Sequence, residues 1–216
     1  MHTQLSRTLT LLLFIFFLFP SALSAQNTQD AVNFFEDNLD LFNASSDAEW
    51  IVTDAYMDDH TGLYHVYMNQ SYRGILFDDH IANIHVNTSE EVAHYAGKFI
   101  PRFSRAISNS ERVEMYDAVR TVFQDLNLNF SESQVATFLG GAAKAWKLEY
   151  EELTLQPVNA KLCYTMTSDN QVKLAWAVDF YLKDGSHWWQ YQIKQQCLNG
   201  SGIQCLSFDG RKSKSW

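Results

Sequence analysis

The segment KLAWAVDFYLKDGSHWWQYQI, residues Lys173–Ile193, decides the fold that the sequence predicts. Its first half alternates large apolar residues with small or polar ones, which is the pattern of a half-buried β-strand. The dipeptide Asp184-Gly185 then gives the two-residue signal of a tight β-hairpin. This turn places Phe180 opposite Trp189 and Trp176 opposite Ile193. The large apolar residues therefore share one face of the hairpin.

A third strand precedes this hairpin. Pairing Thr167 with Gln171 across the SDN turn places Leu162 opposite Trp176, so the apolar face continues over three strands. On this register Trp189 belongs to the core, and His187 lies at the start of its strand. Trp188 points to the other face, beside Tyr181. The pattern favours a structural strand, while Trp188 and Tyr181 stay candidates for docking a partner or clamping a ligand.

Composition and charge restrict the function. The 216 residues are 46% hydrophobic and 14% aromatic, which is enough for a packed core. The formal net charge is -9 and the chain has no cluster of lysines and arginines, which argues against binding to nucleic acid.

The first 25 residues have the pattern of a secretory signal peptide. Arg7 precedes the apolar run Leu11–Phe19, and small residues lead to a predicted cleavage site after Ala25. We therefore expect a secreted, extracellular protein that has no membrane segment after cleavage. The alternative is an N-terminal anchor that is retained, although the apolar run is short for a membrane span.

Two successive modules are predicted, at residues 26–104 and 105–216. In the first, an amphipathic helix over Thr28–Phe42, with Thr28 as N-cap, precedes strands that begin at Trp50. Its apolar stripe consists of Ala31, Phe35, Leu39 and Phe42. Gly74 is expected to turn the chain before a long strand over Ile75–Val86.

The second module is predicted to open with a helix. Ser108 and Glu111 form a capping box, and Ser131 with Gln134 repeats that signature before a third helical stretch, which Gly140-Gly141 should weaken. The helix that follows the capping box has the apolar stripe Val113, Tyr116, Val119, Phe123 and Leu126. The predicted fold class is α+β, with a helix packed on an antiparallel sheet in each module.

No motif in the chain predicts catalysis, a resident metal or a cofactor. HExxH, the P-loop, GxGxxG and GxSxG are absent from the sequence. His80 and His85, five residues apart on one strand, should lie on opposite faces and cannot share an ion. The pairs Asp58-Asp59 and Asp78-Asp79 do not follow an EF-hand loop and are interpreted as polar surface clusters.

Three cysteines leave one without an intramolecular partner. A tight turn over Gly200–Gly202 places Cys197 opposite Cys205 on one face of a hairpin, where a disulfide is possible. Cys163 projects to the other face, either as a small buried residue or as a free thiol available to a partner.

Two blocks of the sequence resemble a known family. The stretch Thr61–Val86, with His65-Val66-Tyr67, Gln70 and Gly74-Ile75, is similar to the fungalysin/thermolysin propeptide (FTP) domain of secreted zinc metalloproteases. The stretch from Lys161 to Ile193, with Leu174-Ala175-Trp176 and His187-Trp188-Trp189, resembles the PepSY-like second half of fungalysin-type propeptides.

The resemblance implies a propeptide without its protease, because the chain stops at Trp216, where a catalytic domain would be expected to begin. The expected partner is then the catalytic domain of a fungalysin-type metalloprotease, which the module would help to fold and would inhibit. The segment near Asp79 and His80, and the segment KQQCLNGSGIQC after Ile193, depart from the family pattern. Two alternatives stay open: a fragment of a whole metallopeptidase precursor, and an independent cystatin-like binding module.

Overall fold

The computed structural model describes residues 19–101, 113–131, 135–166, 171–185, 187–194 and 211–212. The fold is α+β, as predicted, but the prediction of purely antiparallel sheets is wrong: the sheet is mixed, because Phe77 and Tyr164 pair in parallel. The helices are α1 (Phe19–Asp37), a 3-10 helix (Leu39–Phe42) and α2 (Met115–Asp125). The strands are β1 (Glu49–Asp58), β2 (Leu63–Tyr72), β3 (Ile75–Val86), β4 (Val92–Gly97), β5 (Ala136–Gly140), β6 (Ala145–Leu148), β7 (Val158–Met166), β8 (Val172–Tyr181), β9 (Trp188–Lys194) and β10 (Arg211–Lys212).

The chain divides into two compact units. The N-terminal unit comprises Met1–Gln70 and His80–Pro101, and the C-terminal unit comprises Ser71–Asp79 and Arg102–Trp216. The tip of the β2–β3 hairpin thus belongs to the C-terminal unit, where Phe77 pairs in parallel with Tyr164 of β7. The module boundary predicted at residues 104/105 falls outside the described residues and stays a prediction.

The core of the N-terminal unit forms between α1 and one face of its strands. Phe35 is fully buried, and its ring lies 4.9 Å from Phe42, 5.1 Å from Phe99 and 5.5 Å from Trp50 between centroids. These aromatic rings pack edge-on or tilted, the geometries that their quadrupoles favour. Ala31, Phe35 and Phe42 of the predicted stripe are buried, and Leu39 packs against them, which confirms the stripe.

The predicted limits of this helix are wrong. The α-helix runs from Phe19 to Asp37, and Leu39–Phe42 continues as a 3-10 helix that ends at Asn43 in a left-handed conformation. Thr28 therefore lies inside the helix instead of capping it, and its hydroxyl shares a hydrogen bond with the Tyr64 hydroxyl at 3.1 Å. The bond at which cleavage is predicted, between Ala25 and Gln26, lies inside α1. Residues 1–18 of the predicted signal peptide lie outside the described residues.

The strands of the N-terminal unit follow the predicted alternation. Tyr64, Val66 and Met68 of β2 are buried, and β3 spans the predicted Ile75–Val86 after Gly74, whose φ is 77°. Gly97 ends β4 with a φ of 116°, and a Cβ there would lie 2.0 Å from the Ile81 carbonyl oxygen. No other residue type fits this close approach of β4 to β3 without moving the backbone.

The C-terminal unit confirms the register predicted for its three central strands. Phe180 pairs with Trp189 and Trp176 with Ile193 across β8 and β9, while Leu162 pairs with Trp176 across β7 and β8. The turn residue Gly185 has a φ of 68°, a left-handed conformation that favours glycine, and its amide donates to the Leu182 carbonyl at 2.9 Å.

The predicted third helix is absent from the described part of the chain, and a β-hairpin stands in its place. Strands β5 and β6 pair in antiparallel fashion around Gly140 and Gly141, which have φ angles of 86° and 77°. Two consecutive glycines in the left-handed region turn the chain, so they mark a hairpin and not a weak helix. The segment 132–134, which includes the predicted capping glutamine Gln134, lies outside the described residues.

Helix α2 covers the apolar face of the central strands. Phe123 is buried, and its ring lies 4.8 Å from Tyr150 and 5.3 Å from Phe180 between centroids. The buried face consists of Met115, Ala118, Val119, Val122 and Phe123. The placement of Tyr116 in the apolar stripe is therefore wrong, since this side chain is 46% exposed. The helix begins after Glu114, and the predicted capping box at Ser108–Glu111 lies outside the described residues.

Candidate functional site

The end of the β8–β9 hairpin presents an apolar surface formed by Leu155, Tyr181 and Trp188, which we call the hairpin patch. Tyr181 and Trp188 are register partners, and their rings stack at 6.2 Å between centroids with an interplanar angle of 28°. Tyr181 is 38% exposed and Leu155 is 56% exposed. The two predicted docking residues are thus neighbours on one surface, and Leu155 adds an aliphatic side chain that sequence reasoning missed.

Backbone hydrogen bonds place this patch. The Leu155 amide donates to the Tyr181 carbonyl at 3.1 Å, and the Lys183 amide donates to the Leu153 carbonyl at 2.8 Å. On the other side of the turn, the Leu182 amide donates to the His187 carbonyl at 3.0 Å. The patch therefore rests on paired backbone, which reduces the entropy that would be lost when a partner binds.

Trp189 is more exposed than the sequence predicts. Its ring is half-buried and lies 5.9 Å from Tyr191 and 5.7 Å from His187 between centroids. It faces the buried Phe180 across the hairpin, as predicted, but it belongs to the margin of the core. The neighbouring strand on this side is β10, in which Lys212 is the register partner of Trp189.

The titratable groups of the C-terminal unit have structural partners. The Tyr191 hydroxyl donates to Asp125 Oδ2 at 3.2 Å, and burial together with this carboxylate raises the pKa of Tyr191 to about 12. Asp78 accepts hydrogen bonds from the side-chain amides of Gln190 and Gln192. These contacts link α2 and the tip of the β2–β3 hairpin to β9, so the side chains of Tyr191, Asp125 and Asp78 have structural roles.

The cysteines are only partly described. Cys163 is free and 1% exposed, beside Ala175 and Ala177, and burial raises the pKa of its thiol. A thiol kept protonated and away from solvent is unreactive, which supports the interpretation as a small buried residue. Cys197 and Cys205 lie outside the described residues, so their disulfide stays a prediction.

Metal ligands do not converge in the described part of the chain, where no group of three His, Cys, Asp or Glu side chains could hold an ion. Asp58 accepts hydrogen bonds from the Thr61 hydroxyl at 2.7 Å and from the His60 amide at 2.9 Å. These bonds, with that from Thr61 the larger effect, lower the pKa of Asp58. Asp58 thus organises the β1–β2 turn.

Sequence reasoning missed a cluster of imidazoles on the N-terminal unit. His65, His85 and His94 lie next to one another on β2, β3 and β4. His85 pairs with His94 across the turn at residues 87–91, but the register shifts between His85 and Val86, so alternation along the two strands would not have predicted this pair.

The comparison with protein families finds the Fungalysin/Thermolysin Propeptide Motif at residues 48–99. This match covers β1 to β4 and less than half of the chain, and it identifies no catalytic domain. No curated protein matches the chain. The resemblance of the second half to PepSY-like propeptides stays a prediction. Among the described helices, none has the length and apolar character that crossing a bilayer demands.

Proposed function

We propose that this chain is a secreted, non-catalytic propeptide-like module that binds the folded catalytic domain of a fungalysin-like zinc metalloprotease. In this role it assists folding of the protease and blocks the active cleft. The observation that carries the proposal is the propeptide motif at residues 48–99, which spans β1 to β4 and lies in the N-terminal unit except for Ser71–Asp79. Secretion is supported by the leader pattern of Arg7 and Leu11–Phe19.

The structure is suited to binding rather than to chemistry. The described residues bring together no set of three His, Cys, Asp or Glu side chains that could hold a metal ion and activate a water. A module that acts by binding needs only a surface complementary to its partner. Such an interface buries about 800 Å² on each partner and is centred on a few aromatic or aliphatic anchors.

The hairpin patch has the features of such an anchor. Tyr181 and Trp188 offer amphipathic rings that are held by their mutual stacking and by the paired backbone of the hairpin. Leu155 extends the apolar surface beside them. We assign Tyr181 and Trp188 to the centre of the docking surface, with the remaining interface supplied by polar residues around them.

The experiment adds the purified chain to a fungalysin-type catalytic domain. Hydrolysis of a quenched peptide is measured at rising concentrations of the chain, together with the refolding yield of the protease from denaturant. Because the chain binds only the native protease, we expect lower hydrolysis and a higher refolding yield at micromolar concentration. If neither quantity changes, the proposed function is wrong.

Substitutions then test the hairpin patch. The double variant Trp188→Ala, Tyr181→Ala should need an at least tenfold higher concentration to give the same inhibition and the same refolding yield. Tyr116→Ala is the matched control, since it removes another exposed tyrosine ring, on α2. Circular dichroism and thermal unfolding check that each variant is folded. If the double variant inhibits as well as the unmodified chain, docking uses another surface.

A further inference from the structure

Three histidines form a continuous row on the N-terminal unit, which we call the histidine trio. His65 on β2 and His85 on β3 have ring centroids 4.3 Å apart, and His94 on β4 lies 5.4 Å from His85. His85 and His94 are direct register partners across β3 and β4. All three lie within the matched propeptide motif. His85 is the middle ring, so a proton on either neighbouring imidazole places a positive charge next to it.

The trio is partly withdrawn from water. The His65 side chain is 13% exposed, and both of its ring nitrogens are buried without a hydrogen-bond partner in the described part of the chain. The same holds for Nε2 of His85. A protonated imidazole donates from both nitrogens, so protonation here would add a buried N–H that has no acceptor.

The groups around the trio include one carboxylate within ion-pair distance. Asp58 Oδ2 on the exposed end of β1 lies 3.9 Å from His65 Nε2 and can offset one positive charge. The Tyr56 ring stacks on His65 at 5.0 Å between centroids, and Tyr67 lies 6.2 Å from Tyr56. The pKa of Tyr67 is raised above its ordinary value of 10.0, first by its hydrogen bond with Tyr56, so the Tyr67 phenol is neutral in the range where histidines titrate. A second proton on the trio would therefore meet a like charge at close range.

We propose that the histidine trio is an acid-sensitive switch that holds β2, β3 and β4 together at neutral pH and loosens them when a second imidazole is protonated. This inference concerns regulation of the propeptide motif and does not rest on the proposed function. If the chain does bind a protease, loosening of this unit would make that binding depend on pH.

The direction in which stability changes with pH follows from the pKa of His85. Burial lowers its pKa below the ordinary value of 6.5, and the neighbouring His65 and His94 lower it further. The unfolded chain then binds a proton at a higher pH than the native unit does, so native stability falls as the pH drops below about 6.5. Between the unfolded and native pKa values, each pH unit favours opening by up to about tenfold.

The test measures hydrogen exchange of the full chain at pH 7.5 and pH 5.5, read by mass spectrometry and corrected for the intrinsic effect of pH. Peptides from Leu63–Tyr72, Ile75–Val86 and Val92–Gly97 should lose at least fivefold in protection at pH 5.5. His85→Gln, which cannot be charged, should remove most of that loss. His60→Gln is the control, because His60 is an exposed histidine in the β1–β2 turn outside the trio.

Further measurements keep the proposal falsifiable if His85→Gln does not fold. His94→Gln removes only the exposed member of the trio and should reduce the acid loss in part. An NMR titration of the unmodified chain should give His85 a pKa below its ordinary value of 6.5. Equal protection at the two pH values, or a His85 that titrates at or above that ordinary value, would overturn the switch. Protection of the same peptides by Zn²⁺ at pH 7.5 would also overturn it and would identify a metal site instead.

Discussion

Gln70 offers a sharp test of how the propeptide motif is held together. This side chain on β2 is 1% exposed and makes two hydrogen bonds to the backbone of Ile100. Its Nε2 donates to the Ile100 carbonyl at 2.9 Å, and its Oε1 accepts from the Ile100 amide at 2.8 Å. These two hydrogen bonds hold the segment after β4 in place, where the Phe99 ring packs in the core beside Phe35. We therefore expect Gln70 to be a structural clamp of the N-terminal unit.

Gln70→Leu keeps a similar volume and removes both bonds. The Ile100 amide and carbonyl would then be buried without partners, and each unsatisfied group costs about 1–3 kcal/mol. The expected loss in the free energy of unfolding is about 2–5 kcal/mol. Gln29→Leu is the matched control, because Gln29 is an exposed glutamine on α1 whose amide bonds only Asn33 nearby. Its effect should stay within about 0.5 kcal/mol.

Gln70→Glu adds a dependence on pH. An ionised carboxylate can accept from the Ile100 amide but repels the Ile100 carbonyl oxygen, whereas a protonated carboxyl reproduces both bonds. Burial raises the pKa of the introduced carboxyl above its ordinary value of about 4.3. Its contribution to stability is therefore present below about pH 4.3 and is lost as the pH rises through the native pKa. The free energy of unfolding of the variant should approach that of the unmodified chain near pH 4 and should be lower than it at pH 7.

Urea unfolding followed by tryptophan fluorescence and circular dichroism measures these differences. Each variant is compared with the unmodified chain at the same pH, so that general effects of acid cancel. Two results would refute the clamp. One is a loss in the free energy of unfolding below about 1 kcal/mol for Gln70→Leu. The other is a difference in the free energy of unfolding between Gln70→Glu and the unmodified chain that stays constant from pH 7 to pH 4.

Two further predictions concern the C-terminal unit. Cys197 and Cys205 should be bridged and Cys163 free, with the nine-residue loop contributing about 2.5 kcal/mol in the chain-entropy model; mass spectrometry of a non-reduced digest checks this, and a bridged peptide containing Cys163 would contradict it. Trp189→Ala should lower the free energy of unfolding by about 2 kcal/mol, roughly half the cost at a fully buried site, because Trp189 faces the buried Phe180. Trp188→Ala should lower it by less than 1 kcal/mol, and equal losses in chemical denaturation would show that the two faces of β9 are wrongly assigned.

The register of the central strands could be predicted because two local signals agreed. The Asp184-Gly185 turn allows one alignment of β8 with β9, and that alignment places Trp176 against Ile193 and Phe180 against Trp189. A slip of one residue would turn these side chains to the other face. Where turn chemistry and hydrophobic alternation point to the same pairing, sequence alone was sufficient.

The errors arose where one local pattern had two physical interpretations. Gly140-Gly141 is compatible with a weak point in a helix, but two left-handed glycines turn a hairpin equally well. Thr28 looked like an N-cap, but a helix that continues to Phe19 leaves its hydroxyl to bond Tyr64. The partner that decides the structure is Tyr64 for Thr28, and the paired strand β6 for the two glycines. A local sequence pattern does not contain these partners, so it could not select between the interpretations.

The candidate sites were predictable only where one hairpin contained them. Tyr181 and Trp188 are paired by the turn between them, whereas Leu155 reaches the same patch through a backbone bond from a separate segment. The histidine trio needs three strands to be placed at once, and its pairs lie on both sides of β3. Spacing along the sequence carries no signal for such a cluster.

Direct titration of the purified chain into a folded, inactive fungalysin-type catalytic domain tests the central claim most directly. Calorimetry should show saturable binding at one to one with a dissociation constant in the micromolar range or tighter. The Trp188→Ala, Tyr181→Ala chain should bind at least tenfold more weakly, and the Tyr116→Ala control should bind as the unmodified chain does. Absence of heat and of complex on gel filtration, with both folded partners at about 50 μM, would contradict the account. Even a complex with a dissociation constant of about 50 μM corresponds to about 6 kcal/mol of binding free energy, and roughly two-fifths of each partner would be bound at these concentrations.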